Sequence, residues 1–138
     1  MKKFDFSVYK DLPALVTGHT GFKGAWFSLW LIKLGAEVSG IALPPEPDEQ
    51  NLFTAASVSD ISDSTFGDIR EFAVVLEVIE KKQPAIIFHL AAQSLVRQSY
   101  LDPLGTYATN VMGTAHILEA ARRVSSVQAV VIVTSDKC

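Results

Sequence analysis

The chain has a single cysteine among 138 residues, Cys138, so neither a disulfide framework nor a cysteine-based metal site can form within it. A reducing, cytoplasmic setting is the natural one for such a sequence. Positive charge is in short supply as well: 12 basic residues stand against 15 acidic ones, a formal net of -3. That balance argues against the broad basic patch of a nucleic-acid binder. An anionic small molecule is still admitted, because one well-aimed loop suffices to hold it. Long hydrophobic runs are missing. The longest, Ala25 to Leu34, is interrupted by Ser28 and Lys33 and is too short to cross a bilayer. The first residues, MKKFDFSVYKD, lack the apolar run of a signal peptide, and the expectation is a soluble protein. No repeat or low-complexity tract occurs. Against these absences stands a hydrophobic content of 49%, enough to build a core and too much for a disordered chain. The length suits one domain.

Hydrophobic patterning gives alternating elements. Leu12 to Thr17 is a short apolar run before a glycine cluster and reads as a buried strand, with Pro13 near its start, where a missing N–H is tolerated. From Lys23 to Leu34 apolar residues cover most of a helix surface, and Gly35 stops it. Trp26 and Trp30, at helical spacing, are expected in the core. Glu37 to Leu43 reads as a second strand, ended by Pro44-Pro45-Glu46-Pro47, with a short helix near Asn51 to Ala56 and a weak third strand over 61–67. Arg70 to Gln83 is helical in period and is broken by Pro84, and Ala85 to Leu90 is continuous enough for a central strand. Asp102-Pro103 supplies a cap and an N1 proline for a helix running to about Arg123, and Gln128 to Thr134 is a fifth strand. Such alternation predicts a doubly wound parallel sheet with helices on both faces, in the order 3-2-1-4-5.

Ligands of such sheets bind beyond the carboxyl ends of the strands, and the candidate motifs lie there. After the first strand comes Gly18-His-Thr-Gly21-Phe-Lys-Gly24, opening directly into a helix. Three glycines allow a tight turn and close approach to a pyrophosphate, and the free N–H groups of the helix start face the anion. Gly18, Thr20, Gly21, Phe22, Lys23 and Gly24 are therefore candidate dinucleotide-binding residues; the plain alternative is a tight strand-to-helix turn. The loop is no Walker motif, since no Gly-Lys-Ser/Thr follows at the required offset. His19, within it, suits either cofactor contact or solvent. An acidic residue for the ribose 2′-hydroxyl is expected about 20 residues on. There the sequence reads Gly40-Ile-Ala-Leu-Pro, without a carboxylate until Glu46 and without an arginine, so charge pattern alone leaves NAD and NADP open.

Asp68-Ile69 follows the third strand, where a carboxylate can accept from an adenine amino group or cap the next helix. Leu90-Ala91-Ala92-Gln93 follows the fourth, with small residues that let a cofactor approach the backbone. Asn110 and Gly113 are costly inside a helix, which suggests either a ligand contact or close helix packing. Thr134-Ser-Asp-Lys137 is a candidate site or a polar strand end. His89 and His116 read as core or helix-surface residues with no second ligand for a metal, and Arg97 suits substrate or solvent equally.

Together, TGHTGFKG, GDI, FHLAAQSLVRQSY, TNVMGT and VTSDKC resemble the extended short-chain dehydrogenase/reductase family, from Leu12 onward, and within it the 4,6-dehydratases acting on CDP-glucose. The resemblance implies a Rossmann-type domain over 1–138, NAD as cofactor, Asn110 in the cofactor site, and dimerisation through helices near 93–123. It also implies oxidation at sugar C4, loss of water across C5 and C6, and return of the hydride to C6. Thr134 matches the residue that hydrogen-bonds the C4 hydroxyl, and Asp136 the acid that protonates the departing C6 hydroxyl. Lys137 stands where dTDP-glucose dehydratases carry a glutamate taken as the C5 base; a lysine serves if its pKa is depressed. The family's Tyr-x-x-x-Lys pair has no counterpart, because none of Tyr9, Tyr100 and Tyr107 has a lysine four residues on. The expectation is an amino-terminal part of a longer enzyme, truncated after the fifth strand and inactive alone. A sugar-nucleotide epimerase and a non-catalytic dinucleotide-binding module are the alternatives.

Overall fold

In a computed structural model, which describes residues 5–46 and 50–134, five parallel strands form one sheet in the order β3-β2-β1-β4-β5. The strands are β1 (Pro13–Thr17), β2 (Glu37–Ala42), β3 (Asp63–Phe66), β4 (Ile86–His89) and β5 (Ala129–Ile132). Between them come α1 (Phe22–Lys33), α2 (Leu52–Ala55), α3 (Val58–Ile61), α4 (Phe72–Lys82), α5 (Val96–Leu101), α6 (Pro103–Tyr107) and α7 (Gly113–Arg123). The predicted strand order and α/β class stand as read.

Strand alternation divides the core in two. Ala14, Val16, Val38 and Phe88 point to one face and pack under Leu31 of α1. Leu15, Ile41 and Ile87 point to the other, under Val75, Val78 and Ile79 of α4 and Ile117 and Ala120 of α7. A smaller cluster of Ala25, Phe53 and Val58 seats α2 and α3 beside α1. Four differences from the sequence reading have physical causes. First, Trp26 and Trp30 are 55% and 52% exposed, because α1 turns its small residues Gly24, Ala25 and Ser28, with Leu31, onto the sheet. Second, α4 starts at Phe72, since Asp68 and Arg70 form a turn of their own ahead of it. Third, the helix expected from Asp102 onward is interrupted by a π segment, Ala108–Met112, between α6 and α7. Fourth, α3 and α5 were not anticipated; both are short and lack a regular apolar period.

Candidate functional site: a nucleotide cradle at the carboxyl end of the sheet

The glycine loop is built by close contacts that leave no room for side chains. Gly18 has φ +74°, and a Cβ there would lie 2.8 Å from the backbone of Ala91, so this turn needs glycine on both counts. A Cβ on Gly24 would overlap the Gly18 carbonyl oxygen. Gly21 differs: it is exposed, caps α1 with an extended backbone, and its nearest neighbour to a Cβ is the Gly18 oxygen at 3.4 Å. Two glycines thus pack the loop, and the third faces outward where the α1 N–H groups begin. With no acidic residue in the first turn of α1, and Lys23 exposed beside it, this end of the helix suits a pyrophosphate. Thr20 turns its hydroxyl inward and donates to the Leu43 carbonyl at 3.0 Å, tying the loop to the segment after β2. Phe22 is 71% exposed.

His19 is not solvated, the alternative that the sequence reading left open beside cofactor contact. It is fully buried, with its ring over Gly40, edge-on to Phe53 at 5.3 Å, and hydrogen-bonded through Nε2 to the Ser64 hydroxyl. Gly40 makes this possible, because a side chain there would occupy the space of the imidazole. Burial holds the His19 pKa below its ordinary value, partly opposed by the Ile41 backbone. The residue joins the loop to β2 and β3; it was missed because glycine at 40 reads as a weak strand position until histidine at 19 is seen above it.

The loop after β4 is fixed from both sides. Thr17 Oγ1, at the end of β1, accepts from the N–H groups of Leu90 and Ala91, both at 3.1 Å. It lies 2.7 Å from His89 Nδ1, whose Nε2 lies 3.0 Å from Thr114 Oγ1; Thr114 donates to the Asn110 carbonyl at 2.7 Å. Because the Thr114 proton is used on Asn110, its oxygen accepts from Nε2–H. The Nδ1 atom is then the acceptor for the Thr17 hydroxyl, which makes His89 a neutral Nε2–H tautomer. Burial lowers its pKa and keeps it neutral. Asn110 closes the circuit: its Oδ1 accepts from Gln93 N–H at 2.8 Å and its Nδ2 donates to the Gln93 carbonyl at 2.9 Å. Gln93 turns its own side chain to Leu95 and Thr106. Leu90 and Ala91 are half-buried and Ala92 is exposed.

Asp68 lies at the third strand end, with its carboxylate gripped by the Arg70 guanidinium and by Arg70 N–H at 2.9 Å. The hydrogen bond from the Arg70 guanidinium, helped by the backbone one and opposed by burial, holds its pKa below the usual carboxylate range. The Ile69 side chain is buried, close against Gly113: a Cβ on Gly113 would lie 2.6 Å from Ile69 Cδ1. The close-packing alternative for Gly113 is the one realised. His116 meets the Ile69 carbonyl through Nδ1 at 2.9 Å. At the fifth strand, Val133 N–H donates to the His89 carbonyl at 3.0 Å, so the exposed Thr134 follows at the same end of the sheet as the 90–93 loop. Asp136 and Lys137 lie outside the described residues. Among the described residues no group of three or more His, Cys, Asp or Glu side chains could hold a metal, and no helix is long and apolar enough to cross a membrane.

Comparison with known proteins agrees with this geometry. The chain is 48% identical over 134 residues to CDP-glucose 4,6-dehydratase of Salmonella typhimurium, an alignment covering 97% of this chain and 37% of that protein. It is 37% identical over 110 residues to dTDP-glucose 4,6-dehydratase of Xanthomonas campestris pv. campestris, covering 78% and 31%. Among solved structures, the Mth375 epimerase of Methanothermobacter thermautotrophicus superposes with a TM-score of 0.74 at 28% identity, covering 95% of this chain and 37% of that one. UDP-glucose 4-epimerase of Brucella ovis in complex with NAD gives 0.72 at 29%, covering 86% and 34%. The chain thus spans between 31% and 37% of the length of these relatives. The sequence profile of the GDP-mannose 4,6 dehydratase family matches residues 15–137, from within β1 to beyond β5, and the chain belongs to this family.

Proposed function

We propose that this chain is the nucleotide-binding part of a sugar-nucleotide 4,6-dehydratase that carries NAD and acts on CDP-glucose. The observation that carries the reading is the 48% identity over 97% of the chain to an enzyme of that name, in a chain whose glycine loop packs without room for side chains at 18 and 24. When bound, the nicotinamide cofactor supplies reversible redox chemistry, accepting the C4 hydride and giving it back at C6.

The residues of this chain divide the remaining work. The α1 N–H groups beyond Gly21, with Lys23, receive the pyrophosphate. Asp68, beside Ile69, lies where an adenine amino group would be met. Leu90, Ala91 and Ala92 offer a low wall for the cofactor, and Asn110 holds the backbone of the next residue, Gln93, by both atoms of its amide. Thr134 hydrogen-bonds the C4 hydroxyl. Lys137 takes the C5 proton while Asp136 protonates the departing C6 hydroxyl, so one water leaves in balance. The exposed apolar residues of α5, α6 and the π segment, Tyr100, Leu104, Tyr107 and Met112 among them, pack against a second copy. A cytoplasmic enzyme of deoxysugar biosynthesis, feeding an O-antigen, fits this chemistry.

The deciding experiment incubates the intact protein with CDP-glucose and NAD and follows the sugar nucleotide by mass spectrometry and NMR. Loss of one water with a new C4 carbonyl is expected. Inversion at C4 without a mass change would replace the dehydratase reading with an epimerase. Asp136→Asn separates the steps: it should stop water loss by at least about a hundredfold, as for removal of a general acid, while dinucleotide binding persists.

A further inference from the structure

The usual carboxylate for an adenosine ribose is missing from the end of β2, where Gly40, Ile41 and Ala42 stand. The chain continues from there in a way that restores it. The Leu43 carbonyl is held by the Thr20 hydroxyl at 3.0 Å, so the segment after β2 is tied to the glycine loop. Pro44 and Pro45 then keep the backbone extended. The result is an open cleft of about 310 Å³ whose walls are Thr20, Gly21 and Phe22 on one side and Pro45, Glu46 and Asn51 on the other. Among the described residues, Glu46 is the only charged one lining it. Asn51 spends its side-chain oxygen on capping α2, accepting from Thr54 N–H at 2.9 Å.

We infer that Glu46 is the residue that selects a dinucleotide with a free ribose 2′-hydroxyl over one carrying a 2′-phosphate. This rests on the cofactor reading above. A dinucleotide with its pyrophosphate at Gly21 puts its adenosine ribose on the β2 side of the loop, which is the side this cleft occupies. A carboxylate there accepts from a 2′-hydroxyl and repels a 2′-phosphate, and among the described residues no lysine or arginine lines the cleft to compensate. The selector lies four residues beyond the strand end, on a loop instead of the sheet.

The test is calorimetric titration of the intact protein and its Glu46→Gln and Glu46→Arg variants with NAD and with NADP, with thermal unfolding as the folding control. The unaltered protein should prefer NAD. Glu46→Gln should lower the ratio of the two affinities about tenfold, the loss of one charge-assisted hydrogen bond. Glu46→Arg should bring NADP affinity level with NAD or above it. An unchanged ratio in both folded variants would overturn the role of Glu46 and leave the cofactor reading standing. Failure of the unaltered protein to bind either dinucleotide would overturn both.

Discussion

Single residues carry the cradle in separable ways. Gly24→Ala places a methyl on the Gly18 carbonyl, inside a packed turn where backbone must give. It should cost on the order of 2 kcal/mol or more of stability and remove dinucleotide binding, read by denaturant unfolding and calorimetry. Gly21→Ala meets only a 3.4 Å contact, so it should fold and show its cost in binding. Asn110→Ala removes both hydrogen bonds to Gln93 and leaves that loop backbone unsatisfied, a loss of about 1–3 kcal/mol. Asn110→Asp keeps the acceptor and loses the donor, and should fall between. Two histidines set a pH dependence. His19 and His89 both have pKa values pushed below 6.5 by burial, so the unfolded chain binds their protons first. Their contribution to stability is complete above about pH 6.5 and is lost progressively as pH falls below it. Replacing His89 by glutamine should flatten that part of the stability profile. Stability that stays level between neutral pH and about pH 5 in the unaltered protein would rule this out. Glu119, held to about 2 by Arg122 and Arg123 on the exposed face of α7, titrates in a separate and more acidic window.

At the scale of elements, the π segment couples two jobs that a regular helix could not do together. Upstream, Asn110 faces the loop at Gln93; downstream, Ile117 and Ala120 face the core. The extra residue in the turn reconciles those directions. Deleting the exposed Val111 should therefore give a regular helix by circular dichroism but turn Asn110 roughly 100° away, with binding lost and core stability largely kept. The sequence showed asparagine and glycine at a cost inside this helix, and it did not show the π turn, because hydrogen-bond slippage leaves no apolar signature. The strand order was legible since each strand is an apolar run followed by a loop with its own chemistry. What escaped was sidedness. Trp26 and Trp30 repeat at helical spacing, yet small neighbours on the same helix won the sheet, since glycine, alanine and serine allow the closer approach. His19 escaped for the converse reason: a polar residue in a loop is read as solvated until the glycine beneath it is placed.

For the whole molecule, the apolar surface left uncovered is unevenly distributed. Tyr100 of α5 and Leu104, Tyr107, Val111 and Met112 of the helical run after it lie exposed, and on α1 Phe22, Trp26 and Trp30 form a second exposed stripe. If the helical run is the contact between copies, Leu104→Glu with Tyr107→Glu should convert the intact protein to monomer in sedimentation velocity without lowering dinucleotide affinity. Association that survives both charges would reject that surface. The buried junction between β1 and β4 has a consequence on a different clock. Thr17 Oγ1 takes the amides of Leu90 and Ala91, and that oxygen is itself fully buried. These two loop amides cannot meet solvent deuterium until β1 and β4 part. In a hydrogen-exchange experiment they should exchange with the central strands, at the global opening rate, and stand out as a protected pair beside the exposed Ala92. Thr17→Val would release the Ala91 amide, turning it from a slow into a fast exchanger, while Leu90 N–H keeps its bond to the Thr17 carbonyl and exchanges with the strands.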